Sequence, residues 1–287
     1  MIAVWKHELR LYFHSLTAYV FGAFLLLFVG VGAMLYNLNY AVSNFEYVLS
    51  FSSLVFVIIV PILTMRVIAE ERRQKTDQLL YSLPLTATDV VLGKYGALLV
   101  LYLIPFAIIC TYPLIFAQYG EVYLLTSYGS FVAFFLLGAA AIALGVFLSS
   151  LTESQGFAAG LGIAVLLVNY FSVSLAENIS ASAFGTAVVL FVLAAAVGGV
   201  IWLLTRHETL SYIVALALMA AVTVTFFVDN TKLEGLLPDL MRTFSLFDRL
   251  DTFVGGVFRL TDIVFYLSVI VLFLFLTVQS LEKRRYN

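Results

Sequence analysis

The chain has 287 residues, 63% of them hydrophobic and 11% charged, with a formal net charge of −2 and a mean hydropathy of +1.06. A soluble domain runs nearer half apolar and a quarter charged, so this composition excludes a water-soluble protein, and without a basic excess no nucleic-acid partner is expected. Lipid admits only helices or closed barrels, and the apolar runs here are ~20 residues long rather than the ~10 alternating residues of a barrel strand; an all-α integral membrane protein, a polytopic helical bundle, is predicted.

Residues 1–14 come first. Ile2, Trp5, Leu9, Tyr12 and Phe13 recur near one face at helical spacing, with Lys6, His7, Arg10 and His14 largely elsewhere. The pattern predicts an interfacial amphipathic helix on the inner leaflet, with Trp5 at headgroup level and Lys6 and Arg10 facing anionic lipid. The plainer reading is a positive flank that only sets topology. The apolar run that follows is span-length and lacks a small-residue cleavage site, so it is expected to remain as the first span.

Eight apolar segments are predicted to span, roughly 17–36, 51–68, 97–117, 127–148, 157–176, 186–205, 210–228 and 263–281. Only Arg206-His207-Glu208-Thr209 separates the sixth from the seventh, so the alternative is six spans plus a re-entrant helical pair. Residues 15–287 are expected to form a single transmembrane domain. Both counts are even, which puts the two termini on one side. Eleven of the 15 Lys and Arg residues fall on the side that holds the termini and four on the other, so both termini are expected to be cytoplasmic, in a bacterial-type plasma membrane.

The segment 69–94 is the one long charged stretch between apolar runs. Glu70 and Glu71 are placed to pair with Arg73, Gln74 or Lys75 one turn on. Leu79, Leu80 and Leu83 form an apolar patch, Pro84 stops the helix, and Thr86-x-x-Asp89 has the form of a capping box that starts the next one. The segment is too apolar for a free loop and too charged for lipid. It fits a cytosolic docking element whose charges set register and whose leucines fill a groove on a soluble partner; the bland alternative is a solvated loop packed on its own spans.

Further along, Gly138 to Ala141 with Gly145, and Gly156 with Gly160 and Gly162, supply the small residues that let helices approach closely in lipid, with packing inside one subunit as the expected use. Asn169, Tyr170, Ser172 and Ser174 make the fifth segment the most polar; they are candidates for lining a substrate pathway or for bonding between helices. In 229–261, Leu236, Leu237, Leu240, Met241, Phe244, Phe247 and Leu250 recur at three- and four-residue steps. An external amphipathic helix or helix pair, broken near Gly255-Gly256, is predicted, either capping an exit path or packing on the spans as a connector.

The chemistry that is missing narrows function. There is no G-x-x-x-x-G-K-[ST], no G-x-S-x-G and no H-E-x-x-H in the chain. His7, His14 and His207 all flank spans, and Cys110 is the single cysteine, so neither a metal site nor a disulfide is expected. The interiors of the apolar segments hold essentially no ionisable residue, which argues against a proton-coupled carrier, an ion channel or a voltage sensor.

The run from Pro61 to Leu80, which contains Glu70-Glu71-Arg72-Arg73-Gln74-Lys75-Thr76, with Leu83-Pro84-Leu85 and Val91-Leu92-Gly93-Lys94 after it, resembles the type-2 ABC permeases, nearest to the gliding-motility and NosY-like branch. The start Trp5-Lys6-His7-Glu8-Leu9-Arg10, the turn Ser149-Ser150-Leu151-Thr152-Glu153-Ser154-Gln155 and the end Glu282-Lys283-Arg284-Arg285 agree with it. The resemblance implies an exporter half that is not itself an enzyme and binds no cofactor. ATP and Mg would belong to a separate ATP-binding subunit, and a second permease subunit, identical or not, would complete the pore. It implies that Glu70, Glu71, Arg72, Arg73, Gln74, Thr76, Leu79, Leu80, Leu83, Pro84 and Leu85 couple to the partner, with Thr152 and Glu153 as a second cytosolic contact. The apolar pair 186–228 and the long segment 229–261 depart from the common six-span pattern. The reading from another class is a non-transporting membrane scaffold or sensor that recruits an ATP-binding partner.

Overall fold

The computed structural model describes residues 1–76, 85–178, 183–205, 208–228 and 236–286. Among the described residues the chain is helical, with no strand. In order the helices are α1 (Ile2–His14), α2 (Leu16–Ala33, running on into a wider π-type turn Met34–Asn39), α3 (Glu46–Ser53), α4 (Phe56–Thr64), α5 (Ala69–Gln74), α6 (Ala87–Ile109), α7 (Tyr112–Phe116), α8 (Leu124–Leu151), α9 (Gln155–Asn178), α10 (Ala183–Thr205), α11 (Glu208–Val228), α12 (Leu236–Thr243), α13 (Leu246–Val254) and α14 (Leu260–Tyr286).

Among the described residues, five helices are long and apolar enough to cross a bilayer: Leu16–Asn39, Ala87–Phe116, Leu124–Leu151, Gln155–Ala176 and Leu260–Arg284. The predicted second span, 51–68, is not one straight helix. Glu46–Ser53 and Phe56–Gln74 meet at a bend of 57°. The cause is local: Ser53 Oγ donates to Ser50 O at 2.7 Å, and around Leu54 and Val55 the ladder tightens to three-residue bonds, Val55 N–H to Ser52 O and Val57 N–H to Leu54 O, each 3.1 Å. The predicted third span, 97–117, continues a helix, α6, that begins at Ala87, where the Thr86-x-x-Asp89 motif predicts its start, and runs on through Lys94. The sixth and seventh segments form α10 and α11, whose apolar stretches, Gly185–Gly199 and Ser211–Phe226, are shorter than a full span.

The chain divides into two compact units, one made of Met1–Leu167 with Leu246–Arg285 and the other built on Val168–Ser245. The first is organised around α8, in which every residue from Leu137 to Ser150 is buried. Small residues make that possible. A Cβ at Gly138 would sit 2.6 Å from the Tyr102 ring of α6, and one at Gly145 would sit 2.2 Å from Thr64 Oγ1 of α4, so both glycines are points of close helix approach within the subunit. Tyr102 and Tyr95 then donate their hydroxyls to the α8 carbonyls of Phe134 at 2.9 Å and Ala139 at 3.1 Å, which satisfies two polar tips that lipid could not. Rings of Phe56, Tyr102, Phe106, Phe134 and Phe135 fill the space between α4, α6 and α8 with centroids 4.8–5.8 Å apart.

The segment predicted as external resolves into α12 and α13, with 229–235 outside the described residues. The break falls at Phe244–Ser245, and Gly256, at φ +80°, comes two residues after the end of α13. α13 turns Leu246, Phe247, Leu250 and Phe253 inward and packs on α8 and α3. In the second unit α10 and α11 form a hairpin, in which Gly198 lies against Ala215 and Ser211 Oγ donates to Gly198 O.

Candidate functional site at the charged end of the bundle

α1 breaks from α2 at Ser15, which is extended (φ −98°, ψ 150°) and whose hydroxyl donates back to Tyr12 O at 2.9 Å. The helix lies along the first turns of α6. Gly93 and Gly96 make room for it: a Cβ at Gly93 would come 3.1 Å from Val4, and one at Gly96 would come 3.3 Å from Trp5 Cδ1. The buried residues, one per turn, are Val4, Glu8 and Tyr12. Of the residues predicted to form the apolar face, Tyr12 is buried, Trp5 and Leu9 are half-buried and Ile2 and Phe13 are exposed; the carboxylate of Glu8 sits in the seam, and Lys6 and Arg10 are exposed.

Lys94 explains the carboxylate. It is 2% exposed, and its Nζ donates to Glu8 Oε1 of α1 and to Glu71 Oε1 of α5, both at 2.7 Å. An ammonium so buried is tolerable only when paired and hydrogen-bonded; here it joins α1, α5 and α6 through side chains 86 and 23 residues away in sequence. Tyr12 lies beside them. Burial pushes its phenol well above the usual tyrosine value, the charges of Glu8, Glu71 and Glu70 push it further, and Arg66 opposes them. The hydroxyl therefore stays neutral.

α5 is held from both sides. Ser149 Oγ of α8 accepts the backbone N–H groups of Ile68 at 3.2 Å and Ala69 at 3.1 Å and donates to Met65 O at 3.2 Å, which caps the start of the helix. Lys75, in the left-handed region at φ 57°, ends it. Arg72 is buried and donates to Ser280 Oγ of α14 at 3.4 Å; Ser280 in turn donates to Ser150 O at 3.2 Å. Glu70 accepts from Gln74 at 3.2 Å and pairs with Arg66 at 3.7 Å. Glu71 Oε1 reaches across to α6, where it accepts from Lys94. Thr76 Oγ1 closes the segment by donating to Glu71 O at 3.3 Å.

Leu85 is half-buried, and Thr86 caps α6 as the motif requires. Asp89 N–H donates to Thr86 Oγ1 at 3.1 Å, Thr86 Oγ1 donates to Asp89 Oδ2 at 2.7 Å, and the N-terminal ammonium lies 3.5 Å from Asp89. Leu79, Leu80, Leu83 and Pro84 lie outside the described residues. Thr152 Oγ1 accepts Ser154 N–H at 3.1 Å in the turn between α8 and α9. Exposed Glu153 pairs with Arg284 of α14, which holds its carboxyl below the usual value mainly through that hydrogen bond and then through the arginine's charge. The C-terminal helix thus meets the end of α8 that caps α5. Between α1 and α5 opens a groove of about 750 Å³ with Leu11, Tyr12, Arg66, Val67, Glu70 and Leu85 in its wall.

The candidate pathway residues lie elsewhere, in the part of α9 that belongs to the second unit. Asn169 Nδ2 donates to Phe244 O at 3.0 Å, Ser172 Oγ donates to Asn169 O at 2.7 Å, and the Tyr170 ring meets Phe171. Sequence reasoning missed Lys94 as a site residue. The available signal was its phase: Lys94 shares a face with Val90, Val91, Leu98 and Leu101, all buried, so a cation stood in an apolar stripe and required a carboxylate from another helix.

At the other end of α8 lies a second polar cluster. Glu46, 0% exposed, accepts from Asn44 Nδ2 at 2.6 Å and from Ser127 Oγ at 3.1 Å. Ser50 Oγ donates to Asp251 Oδ1 at 2.7 Å, Ser130 Oγ to Phe253 O at 3.0 Å, and Arg249 to Asp262. Among the described residues no group of His, Cys, Asp and Glu is arranged to hold a metal.

Long apolar helices gathered around a buried central one, with their polar groups collected at the ends, define a multi-pass α-helical membrane protein. Residues 33–228 match the model of the ABC-2 family transporter proteins. That match covers well over half of the chain, and the protein belongs to this family: it is an ABC-2 type permease, a membrane component of a kind generally not catalytic itself. Membership implies an ATP-binding partner. No curated protein matches the chain significantly.

Proposed function

We propose that the chain is the membrane subunit of an ATP-driven exporter, of the gliding-motility and NosY-like branch, which moves its substrate using ATP and Mg bound by a separate subunit. In this reading both termini are cytoplasmic, α10 and α11 add two spans to the six apolar ones, and a second permease subunit completes the pore. α1 lies in the inner leaflet through Trp5, Lys6 and Arg10. The segment Glu70–Leu85 takes the push of the partner, and Thr152–Glu153 is the second contact.

The observation that carries this is the bracing of α5. A six-residue helix outside the apolar spans is capped by Ser149 of α8 and tied through Arg72 to α14. A force on α5 therefore reaches the central helix and the last one through direct side-chain bonds. The groove beside α5 gives a partner element a place to lodge. ATP binding favours one arrangement of the lever only as far as the partner binds that arrangement more tightly.

The test is purification in mild detergent from the native membrane. A stoichiometric soluble polypeptide bearing G-x-x-x-x-G-K-[ST] is expected with the wild type and is expected to be lost on Leu79→Asp with Leu80→Asp, while insertion persists. Repeated absence of such a polypeptide from an intact permease oligomer overturns the reading. A bound ATPase whose hydrolysis moves no solute in vesicles leaves the scaffold reading in its place.

A further inference from the structure

Lys94 faces two carboxylates with one ammonium, and the two are not equivalent. The Glu8 side chain is 9% exposed and that of Glu71 26%, while both lie 2.7 Å from Nζ. Lysine has three donors and can serve both at once. The acids sit on different elements, Glu8 on a helix that packs along α6 and Glu71 on short α5. If α5 shifts by an ångström or two, the Lys94–Glu71 bond opens first. Water can reach Glu71 and soften its loss, whereas releasing Glu8 would strand a carboxylate in the closed seam beside Val4 and Tyr12.

We infer that Lys94 is a positioning residue that links α5 to the membrane-surface helix α1, with the Lys94–Glu71 bond as the part that opens and the Lys94–Glu8 bond as the part that holds. The inference rests on the proposed coupling role of α5. It adds that α1 moves with the nucleotide cycle of the partner as a follower of α5, through one side chain. Lys94 is a single side chain bonded to both elements, so the link is open to a single substitution.

The experiment uses the intact complex with its ATP-binding partner in lipid nanodiscs. Amide hydrogen exchange of residues 2–14 and 69–76 is compared without nucleotide and after ATP and vanadate trapping. In the wild type both segments are expected to change together. Glu71→Ala, a substitution at the half-exposed acid, is expected to keep the response of 69–76 and lose that of 2–14. Lys94→Arg, which keeps the charge and can still reach both acids, is expected to keep the joint response. A response of 2–14 that persists unchanged in Glu71→Ala overturns the inference, and so does loss of both responses in a complex that still binds ATP. Failure of the wild-type chain to hold an ATP-binding partner overturns the coupling reading instead, so the two failures are told apart.

Discussion

The two ends of α8 use their few polar groups differently. At the end where α1, α5 and α14 meet, acids are held by cations: Glu8 and Glu71 by Lys94, and Glu153 by Arg284. At the other end Glu46 is held by the neutral donors of Asn44 and Ser127, and Asp251 by Ser50; there Arg249 serves Asp262 and stacks 3.7 Å above the Phe265 ring. Charge pairs at the first end tie α5 to α6 and α14 to the turn after α8, and fix a carboxylate in the packed α1–α6 seam, so each bond carries a connection. The neutral bonds to Glu46 at the second end sit inside a seam of α3, α8 and α13 that is already packed by Phe45, Leu49, Phe131 and Phe253, so they mostly satisfy a carboxylate that packing has buried; the Ser50–Asp251 bond is exposed. The first arrangement fails when one partner is removed; the second degrades gradually.

The largest effect is therefore expected at Lys94. Lys94→Met leaves two carboxylates facing each other in the α1–α6 seam, and breaking a buried pair from one side costs about 3–5 kcal/mol. The measurement is the thermal unfolding midpoint of the purified protein in detergent, with Lys94→Arg recovering most of the loss. Next comes Glu46→Leu. It strands the Ser127 hydroxyl and the Asn44 amide, each neutral, at about 1–3 kcal/mol. A larger midpoint shift for Glu46→Leu than for Lys94→Met would break the contrast between the two ends and make Glu46 the principal anchor.

The same contrast shows what the sequence could and could not reveal. Helical class and an apolar bundle were legible because they follow from residue averages. The Thr86–Asp89 cap was legible because its bonds are local, and close packing at Gly138 and Gly145 because small residues leave a pattern. Glu8 and Lys94 were not, because neither has any local reason to be buried; each is explained only by the other, across 86 residues. The bend before α4 was hidden for another reason: hydropathy does not register a change in backbone hydrogen bonding at Leu54 and Val55. The segment 77–84, which holds Leu79, Leu80, Leu83 and Pro84, lies outside the described residues, so the leucine patch stands on sequence alone.

Smaller effects sharpen the comparison through pH. Burial by its neighbours pushes the Asp251 carboxyl above the usual aspartate value; the Ser50 hydrogen bond opposes this and Asp248 adds to it. The folded state thus holds that proton more tightly than the unfolded chain does. The stability this contributes is present below the unfolded value and is lost as pH rises through the raised one, so at neutral pH Asp251 is a small cost. Asp251→Asn keeps an acceptor for Ser50 and is expected to raise the unfolding midpoint slightly at pH 7, with the gain shrinking toward pH 4. A gain that grows as pH falls would mean that the charge is needed.

Glu153 at the other end has the opposite sign and the smallest size. Its pKa is lowered, first by the hydrogen bond from Arg284 and then by that cation's charge, so its contribution is present above the unfolded value and fades as pH falls through the folded one. The side chain is 59% exposed, and water and salt screen such a pair to below about 1 kcal/mol. Glu153→Gln should accordingly shift the unfolding midpoint by a degree or so at pH 7, less in ~0.5 M salt, and not at all near pH 3. Its effect on partner binding is independent of that small number. A contact residue at the rim of a docking surface changes association rate and salt dependence more than fold stability. If Glu153 meets the ATP-binding subunit, Glu153→Gln slows association with the fold intact; if it only ties α14 to the turn after α8, stability and association are both nearly unchanged.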